Sequence, residues 1–251
     1  MRWTKTAFGK LTHLWALAAI VAAAASIAAA PQAPPAPQSL SPATPAPQPA
    51  PAPPPPRFVV LLDAAHGGDD PGGRLTNRAE KDFTLALSVR LRSLLAARGF
   101  QVITTRESDS AVDSDHRAEI ANRANAQACL SLHGSETGSG IHLFTSSLAP
   151  ATPSRIPAWK TAQSAWVTRS LSLAGVLNAA LLHAGISVTL GRTALPAIDS
   201  MTCPAIAIEI APDYPPGSTT KTELDDPGYQ ARVAEALAAA LLEWKTEARQ
   251  P

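Results

Sequence analysis

Short apolar runs recur along the chain after residue 57 and alternate with longer segments of helical periodicity. The runs are rich in aliphatic and β-branched residues, and glycine, proline or charged residues interrupt them. Runs of this length and composition are typical of strands in a sheet. The predicted strands are 58–63, 100–105, 128–133, 140–145, 186–190 and 205–210.

Between these runs, apolar residues recur at the spacing of an amphipathic helix. The clearest case follows Glu80, where Phe83, Leu87 and Leu91 fall on one face and Gly99 supplies a left-handed cap. The predicted helices are 80–98, 113–126, 161–183 with a break at Gly175, and 226–248. Alternating strands and helices predict an α/β fold, with a mostly parallel sheet covered by helices on both faces.

The first 56 residues have a different character. Basic residues at Arg2, Lys5 and Lys10 precede an apolar stretch, 14–30, that ends in three alanines. This order is that of a secretory signal peptide, so residues 1–30 are predicted to be a cleaved signal, with a retained membrane anchor as the alternative. Residues 31–56 are almost wholly Pro, Ala, Gln, Ser and Thr and are predicted to be a disordered, extended linker. Residues 57–251 are then long enough for one ordinary domain with a sizeable core.

The composition argues against a nucleic-acid partner and leaves open whether the two cysteines are bridged. The formal net charge is +1 and there is no basic run, which argues against nucleic acid as a ligand. The two cysteines, Cys129 and Cys203, lie near the start of predicted strands. We expect them to be small buried hydrophobic residues, with a bridge formed in an oxidising compartment as the alternative.

Three ionisable side chains lie where apolar runs end. His66 and His133 each follow a predicted strand and precede a glycine, and Glu209 lies within the last predicted strand. In an open α/β sheet, ligands collect beyond the carboxyl ends of strands. Two imidazoles and a carboxylate suit zinc, although loop histidines without a metal are an equally open interpretation.

Glu80 and Glu209 differ in how readily a local cause explains them. Glu80 begins a helix, where a carboxylate complements the dipole, so capping alone accounts for it. Glu209 lies between Ile208 and Ile210, where a buried charge is costly unless it is paired, binds a cation or stays protonated. The other histidines, among them His142 within a strand, have no local reason to bind metal.

An ordered set of motifs extends from Phe58 to about Leu242 and resembles the zinc-dependent N-acetylmuramoyl-L-alanine amidases of bacterial cell walls. The motifs are Leu62-Asp63-Ala64-Ala65-His66-Gly67-Gly68, Asp70-Pro71-Gly72, Glu80-Lys81-Asp82-Phe83-Thr84-Leu85, Thr105-Arg106-Glu107-Ser108-Asp109, Arg117 with Ala121-Asn122, Ser131-Leu132-His133 and Pro204-Ala205-Ile206-Ala207-Ile208-Glu209. The resemblance implies that His66, Glu80 and His133 bind Zn²⁺ and that Glu209 is the catalytic carboxylate. It also implies a mixed sheet of about six strands, a peptidoglycan substrate and an exported protein of the periplasm or cell envelope, with membrane tethering through the N-terminal segment as an option.

The chain departs from the family pattern at Ala64-Ala65, Ser135 and Ala211-Pro212, where the family usually has Pro-Gly, Asn and Gly-Phe. None of these changes removes a predicted ligand, so they bear on loop shape and substrate fit.

Alternatives to the amidase are a catalytically inactive peptidoglycan-binding or scaffold protein and a zinc peptidase acting on a related wall amide. The segment 150–157, followed by Trp159 and Trp166, is expected either to wall the cleft or to pack as an apolar patch. The need for an activator protein stays open.

Overall fold

A computed structural model describes residues 57–152, 156–214 and 219–248. The predicted export segment and the proline-rich linker lie outside these ranges. The strands are β1 Val59–Ala64, β2 Gln101–Thr104, β3 Ala128–Gly134, β4 Ile141–Ser146, β5 Val188–Thr193 and β6 Ala205–Ile210. The α-helices are α1 Glu80–Ala97, α2 Ser114–Arg123, α3 Val167–His183, α4 Pro196–Asp199 and α5 Pro227–Glu247, and a 3-10 helix spans Trp159–Ala165.

The strands form one mixed, mostly parallel sheet in the order β2-β1-β3-β6-β4-β5. Only the pairing of β4 with β6 is antiparallel among the described strands. The predicted α/β fold, with about six strands and helices on both faces, is confirmed.

The two faces of the sheet are covered differently. One face carries large aliphatic side chains such as Leu130 and Ile208, which pack in the main core with residues of α1, α3 and α5. The other face carries smaller residues such as Ala207, packed with residues of α2 and α4. Because side chains alternate along a strand, His133 and Glu209 belong to this second face, where the helical cover is short. The carboxyl ends of β1, β3 and β6 are therefore open to a cleft.

One predicted helix break is misplaced. The chain bends at Trp166, whose φ of −116° separates the 3-10 helix from α3, whereas α3 runs unbroken through Gly175. A glycine inside a helix costs only about 1 kcal/mol relative to alanine. Burial of Leu173 and Leu177 on the same helix outweighs that cost.

Cys129 and Cys203 form a disulfide, so the alternative of a bridge is confirmed and our preference for unbridged buried residues was wrong. The parallel register pairs Cys129 with Ala205, which places Cys203 just before β6 and next to β3, with the two Cα atoms 6.3 Å apart. That separation lies within the usual range for a disulfide. Both cysteines are buried as expected.

Within the described ranges, no single helix has both the length and the apolar character needed to cross a membrane. The 3-10 helix and α3 meet those criteria only when taken together, and they are bent by 63° relative to each other.

Candidate metal centre

The three predicted metal ligands converge at the open end of the sheet. His66 Nε2 lies 3.2 Å from Glu80 Oε2, and His133 Nδ1 lies 3.1 Å from Glu80 Oε1. The two imidazole rings meet edge to face with their centroids 5.6 Å apart. One donor atom from each of the three side chains falls within 4.8 Å of the others. Residues far apart in sequence thus present two nitrogens and a carboxylate to one point.

His66 is held in place by the loop that follows β1. Its backbone has a φ of 62°, which is rare outside glycine, and its Nδ1 lies 2.8 Å from Asp70 Oδ2. Gly72 passes so close that an added Cβ would lie 2.5 Å from the ring. A carboxylate on the far nitrogen of a histidine fixes the ring orientation and its tautomer, as it does in metal sites.

Glu80 begins α1 but does more than cap it. The helix has no side-chain cap at Ala79, and Glu80 Oε2 accepts the Gly73 N–H at 2.8 Å while Oε1 accepts the Gly134 N–H at 3.1 Å. Burial by itself raises the pKa of Glu80, but the hydrogen bonds from His133, Gly73 and Gly134 and the charge of His66 outweigh it and lower the pKa to about 2. The side chain is therefore a carboxylate, ready to bind a cation.

A buried chain of polar groups lies behind His133. Its Nε2 is 3.3 Å from the Ser131 hydroxyl, which donates to Asp63 Oδ2 at 2.7 Å. Asp63 is only 2% exposed, and its other oxygen accepts hydrogen bonds from Thr105 and Arg117. Sequence reasoning had assigned no role to Asp63 or Ser131. The feature of the sequence that could have indicated such a role is that Asp63 and Ser131 are polar residues within otherwise apolar strands.

Arg106 and Arg117 are both buried and bind backbone carbonyls at the end of β1. Arg106 Nε donates to Ala64 O at 2.9 Å, and Arg117 donates to Ala64 O and to His66 O, each at 2.8 Å. These contacts fix the strand end where the family pattern has Pro-Gly and this chain has Ala64-Ala65.

Glu209 lies beside the three donors rather than among them. The register of β3 and β6 places it opposite His133, and its Oε1 lies 3.1 Å from His142 Nδ1. The side chain of Glu209 is 35% exposed, because Ile208 and Ile210 point to the opposite face of the sheet. The expected cost of deep burial therefore does not arise. His142, to which no role had been assigned, is its partner.

A cleft of about 420 Å³ opens next to the two ligand imidazoles. One wall is formed by Val112, Asp113 and Ser114 before and at the start of α2, and the other by Leu195 to Ile198 around α4. Among the described residues that line the cleft, neither Trp159 nor Trp166 appears. Of the two interpretations of the 150–166 region, its described residues do not support the cleft wall, and residues around α4 form that wall instead.

This donor set fits a divalent zinc ion by its chemistry. Two imidazole nitrogens and one carboxylate oxygen, with a further position left open, are typical of catalytic zinc sites. Each imidazole is also oriented from behind, by Asp70 in one case and by Ser131 in the other. The fold and the site together define an α/β protein with a candidate metal centre beside an open cleft.

Comparison with known families identifies the family of the chain. The family model described as N-acetylmuramoyl-L-alanine amidase matches residues 60–243, and the chain belongs to that family. The family resemblance drawn from the motifs is therefore confirmed.

Individual relatives match shorter regions. The sporulation-specific N-acetylmuramoyl-L-alanine amidase of Bacillus subtilis is 33% identical over 98 residues, which is 37% of this chain and 38% of the relative. The amidase AmiC of an Escherichia coli O6:H1 strain is 33% identical over 122 residues, covering 46% of this chain and 29% of the relative. These matched regions span less than half the length of either relative.

The fold is shared with solved catalytic domains. The catalytic domain of CwlV, an N-acetylmuramoyl-L-alanine amidase from Bacillus (Paenibacillus) polymyxa var. colistinus, superposes on this chain with a TM-score of 0.58 at 22% sequence identity. The match covers 75% of this chain and 98% of that domain.

Proposed function

We propose that this protein is a zinc-dependent N-acetylmuramoyl-L-alanine amidase that hydrolyses the amide bond between N-acetylmuramic acid and L-alanine in peptidoglycan. The observation that carries the proposal is the meeting of His66, Glu80 and His133 donor atoms within 4.8 Å beside an open cleft. Family membership supports the choice of bond, because the matching family model is described by that activity.

Each residue of the centre has a defined part in this chemistry. His66, Glu80 and His133 would hold Zn²⁺, which would supply the Lewis acidity that lowers the pKa of water and polarises the scissile carbonyl. Glu209, opposite His133, takes the water's proton and delivers it to the departing amine of alanine. Proton transfer by a positioned carboxylate is typically worth about 10² to 10⁴ in rate. Asp70 and Ser131 keep the two imidazoles oriented.

We also propose that the protein is exported to the periplasm or cell envelope. The order of charge and apolar residues in 1–30 supports a signal peptide or an inner-membrane anchor, and 31–56 supports an extended tether. The buried disulfide between Cys129 and Cys203 adds support, because disulfides persist in oxidising compartments.

Two alternatives make different predictions for the products. A catalytically inactive wall-binding protein has no need of a buried, hydrogen-bonded Glu80 or of oriented imidazoles, so it is disfavoured by the site. A zinc peptidase would use the same groups on a bond within the stem peptide. The bond that is cut therefore decides between the two enzymes.

The test is digestion of purified sacculi with the 251-residue chain, followed by mass spectrometry of the soluble products. The proposal predicts stem peptides that begin with a free alanine amine, loss of activity with a chelator and recovery when Zn²⁺ is added. Fragments cut within the stem would instead identify a peptidase, and binding without products would identify a scaffold protein.

A further inference from the structure

His142 and Glu209 form a hydrogen-bonded pair whose position is set by the sheet. Glu209 lies opposite His133 in the parallel pairing of β3 with β6, and opposite His142 in the antiparallel pairing of β6 with β4. Directly opposite residues on neighbouring strands project from the same face. Glu209 therefore lies in a row between two imidazoles, one a candidate metal ligand and the other not.

The ring of His142 is the better fixed member of the pair. An added Cβ at Gly138 would lie 2.4 Å from His142 Cε1, so the loop backbone lies directly against the ring. The Phe144 ring contacts it edge to face with centroids 6.3 Å apart. The side chain of His142 is 18% exposed against 35% for Glu209. His142 is therefore a fixed hydrogen-bond partner for the more exposed carboxylate of Glu209.

We propose that His142 is a positioning residue that orients Glu209 for proton transfer. An ionised carboxylate only accepts hydrogen bonds, so Nδ1 of His142 must carry the proton that it donates to Glu209 Oε1. Holding Oε1 fixes the carboxylate and leaves Oε2 free to accept the proton of water. This role rests on the proposed function, in which Glu209 is the general base.

The expected consequence is a loss of turnover with substrate binding preserved. Without its partner, the Glu209 side chain gains rotational freedom, and a misplacement of about 1 Å at a catalytic group can lower the rate up to about 100-fold. His142 lies on β4, one strand farther from His133 than Glu209, so substrate at the three donors is not expected to touch it and KM is expected to change little. Nor does His142 contact His66, Glu80 or His133 through any hydrogen bond among the described residues, so bound metal is expected to stay the same.

Three substitutions at His142 distinguish a hydrogen-bond donor from a space-filling ring. The amide nitrogen of His142→Asn can lie near the place of Nδ1, whereas His142→Gln extends its amide toward the place of Nε2, and His142→Phe keeps the ring without a donor. We expect kcat on sacculi to fall about 10- to 100-fold in His142→Phe and His142→Gln and to recover several-fold in His142→Asn. Equal kcat in wild type and His142→Phe, or no advantage of Asn over Gln, would overturn the proposal.

A second pair of variants displaces the ring without changing it. Gly138→Ala places a methyl group against His142, whereas Gly185→Ala, also at a positive φ, meets no atom within 4 Å. Both carry the same kind of backbone strain. Only Gly138→Ala is expected to lower kcat beyond what its loss of stability explains, and equal kcat in the two variants would count against the proposal.

A spectroscopic measurement separates this inference from the proposed function. In ¹⁵N-labelled protein, the His142 ring should show a proton on Nδ1, and Glu209→Ala should shift that signal. If wild type releases no stem peptides but this coupling is present, the amidase proposal fails while the pairing stands. If the Nδ1 proton or its dependence on Glu209 is absent, the positioning role fails whatever the enzyme cleaves.

Discussion

The buried carboxylate of Asp63 accepts a hydrogen bond from the Ser131 hydroxyl at 2.7 Å, directly behind His133. Asp63 is anchored in turn by Arg117 and Thr105, so the hydroxyl has a fixed acceptor on one side and the imidazole on the other. The Ser131 hydroxyl donates its proton to Asp63, so it can only accept a hydrogen bond from His133 Nε2. In the metal-free protein Nδ1 donates to Glu80, and when a metal ion replaces that proton the Nε2 proton stays held by Ser131. The arrangement selects the tautomer that a metal ion requires.

Ser131→Ala is therefore expected to weaken Zn²⁺ binding about 10- to 100-fold, the usual effect of losing a group that orients a metal ligand. Competition with a chromophoric chelator on metal-free protein measures the affinity. Ser88→Ala is the matched control, since the Ser88 hydroxyl is also buried but has no hydrogen-bond partner among the described residues. Equal affinities in the two variants would remove the orienting role of Ser131.

Glu209→Gln keeps the size and shape of the side chain but cannot take up the water's proton. We expect turnover to fall about 10² to 10⁴-fold while the metal content, measured by elemental analysis, stays that of wild type. Glu243→Gln, on the exposed face of α5, is the control. Loss of metal together with activity would make Glu209 a ligand rather than the base.

The depressed pKa of Glu80 predicts how the stability of the metal-free protein depends on pH. In the folded protein the pKa of Glu80 is about 2, against an ordinary value of 4.5. The ionised carboxylate therefore stabilises the fold fully above pH 4.5, and this stabilisation is lost as the pH falls toward 2. The difference in unfolding free energy between wild type and Glu80→Gln should thus shrink across that interval. Urea unfolding of chelator-treated protein measures it, and parallel curves for the two proteins would contradict the assignment.

The Cys129–Cys203 disulfide is expected to stabilise the domain by about 2 to 4 kcal/mol. The double variant Cys129→Ala/Cys203→Ala should lower the urea midpoint accordingly, and adding a reductant to wild type should bring it toward the same value. A reductant that also shifts the midpoint of the double variant would show that the effect does not come from this bridge.

The sequence predicted the strands well because their apolar runs are bounded by sharp changes in composition. The same boundaries placed His66 and His133 at strand ends, but Glu80 has a local explanation as a residue of a helix start and was assigned only through the family resemblance. The roles of Asp63, Ser131 and His142 depend on which strands are neighbours and in what register, which periodicity along one strand does not specify. The disulfide was missed for the same reason.

The most direct test is a crystal of the protein grown with Zn²⁺ and measured on both sides of the zinc absorption edge. The account predicts a single strong anomalous peak in contact with His66, Glu80 and His133, with the Glu209 carboxylate beside it and free of the ion. A peak at another place, or one that misses any of the three side chains, would contradict it.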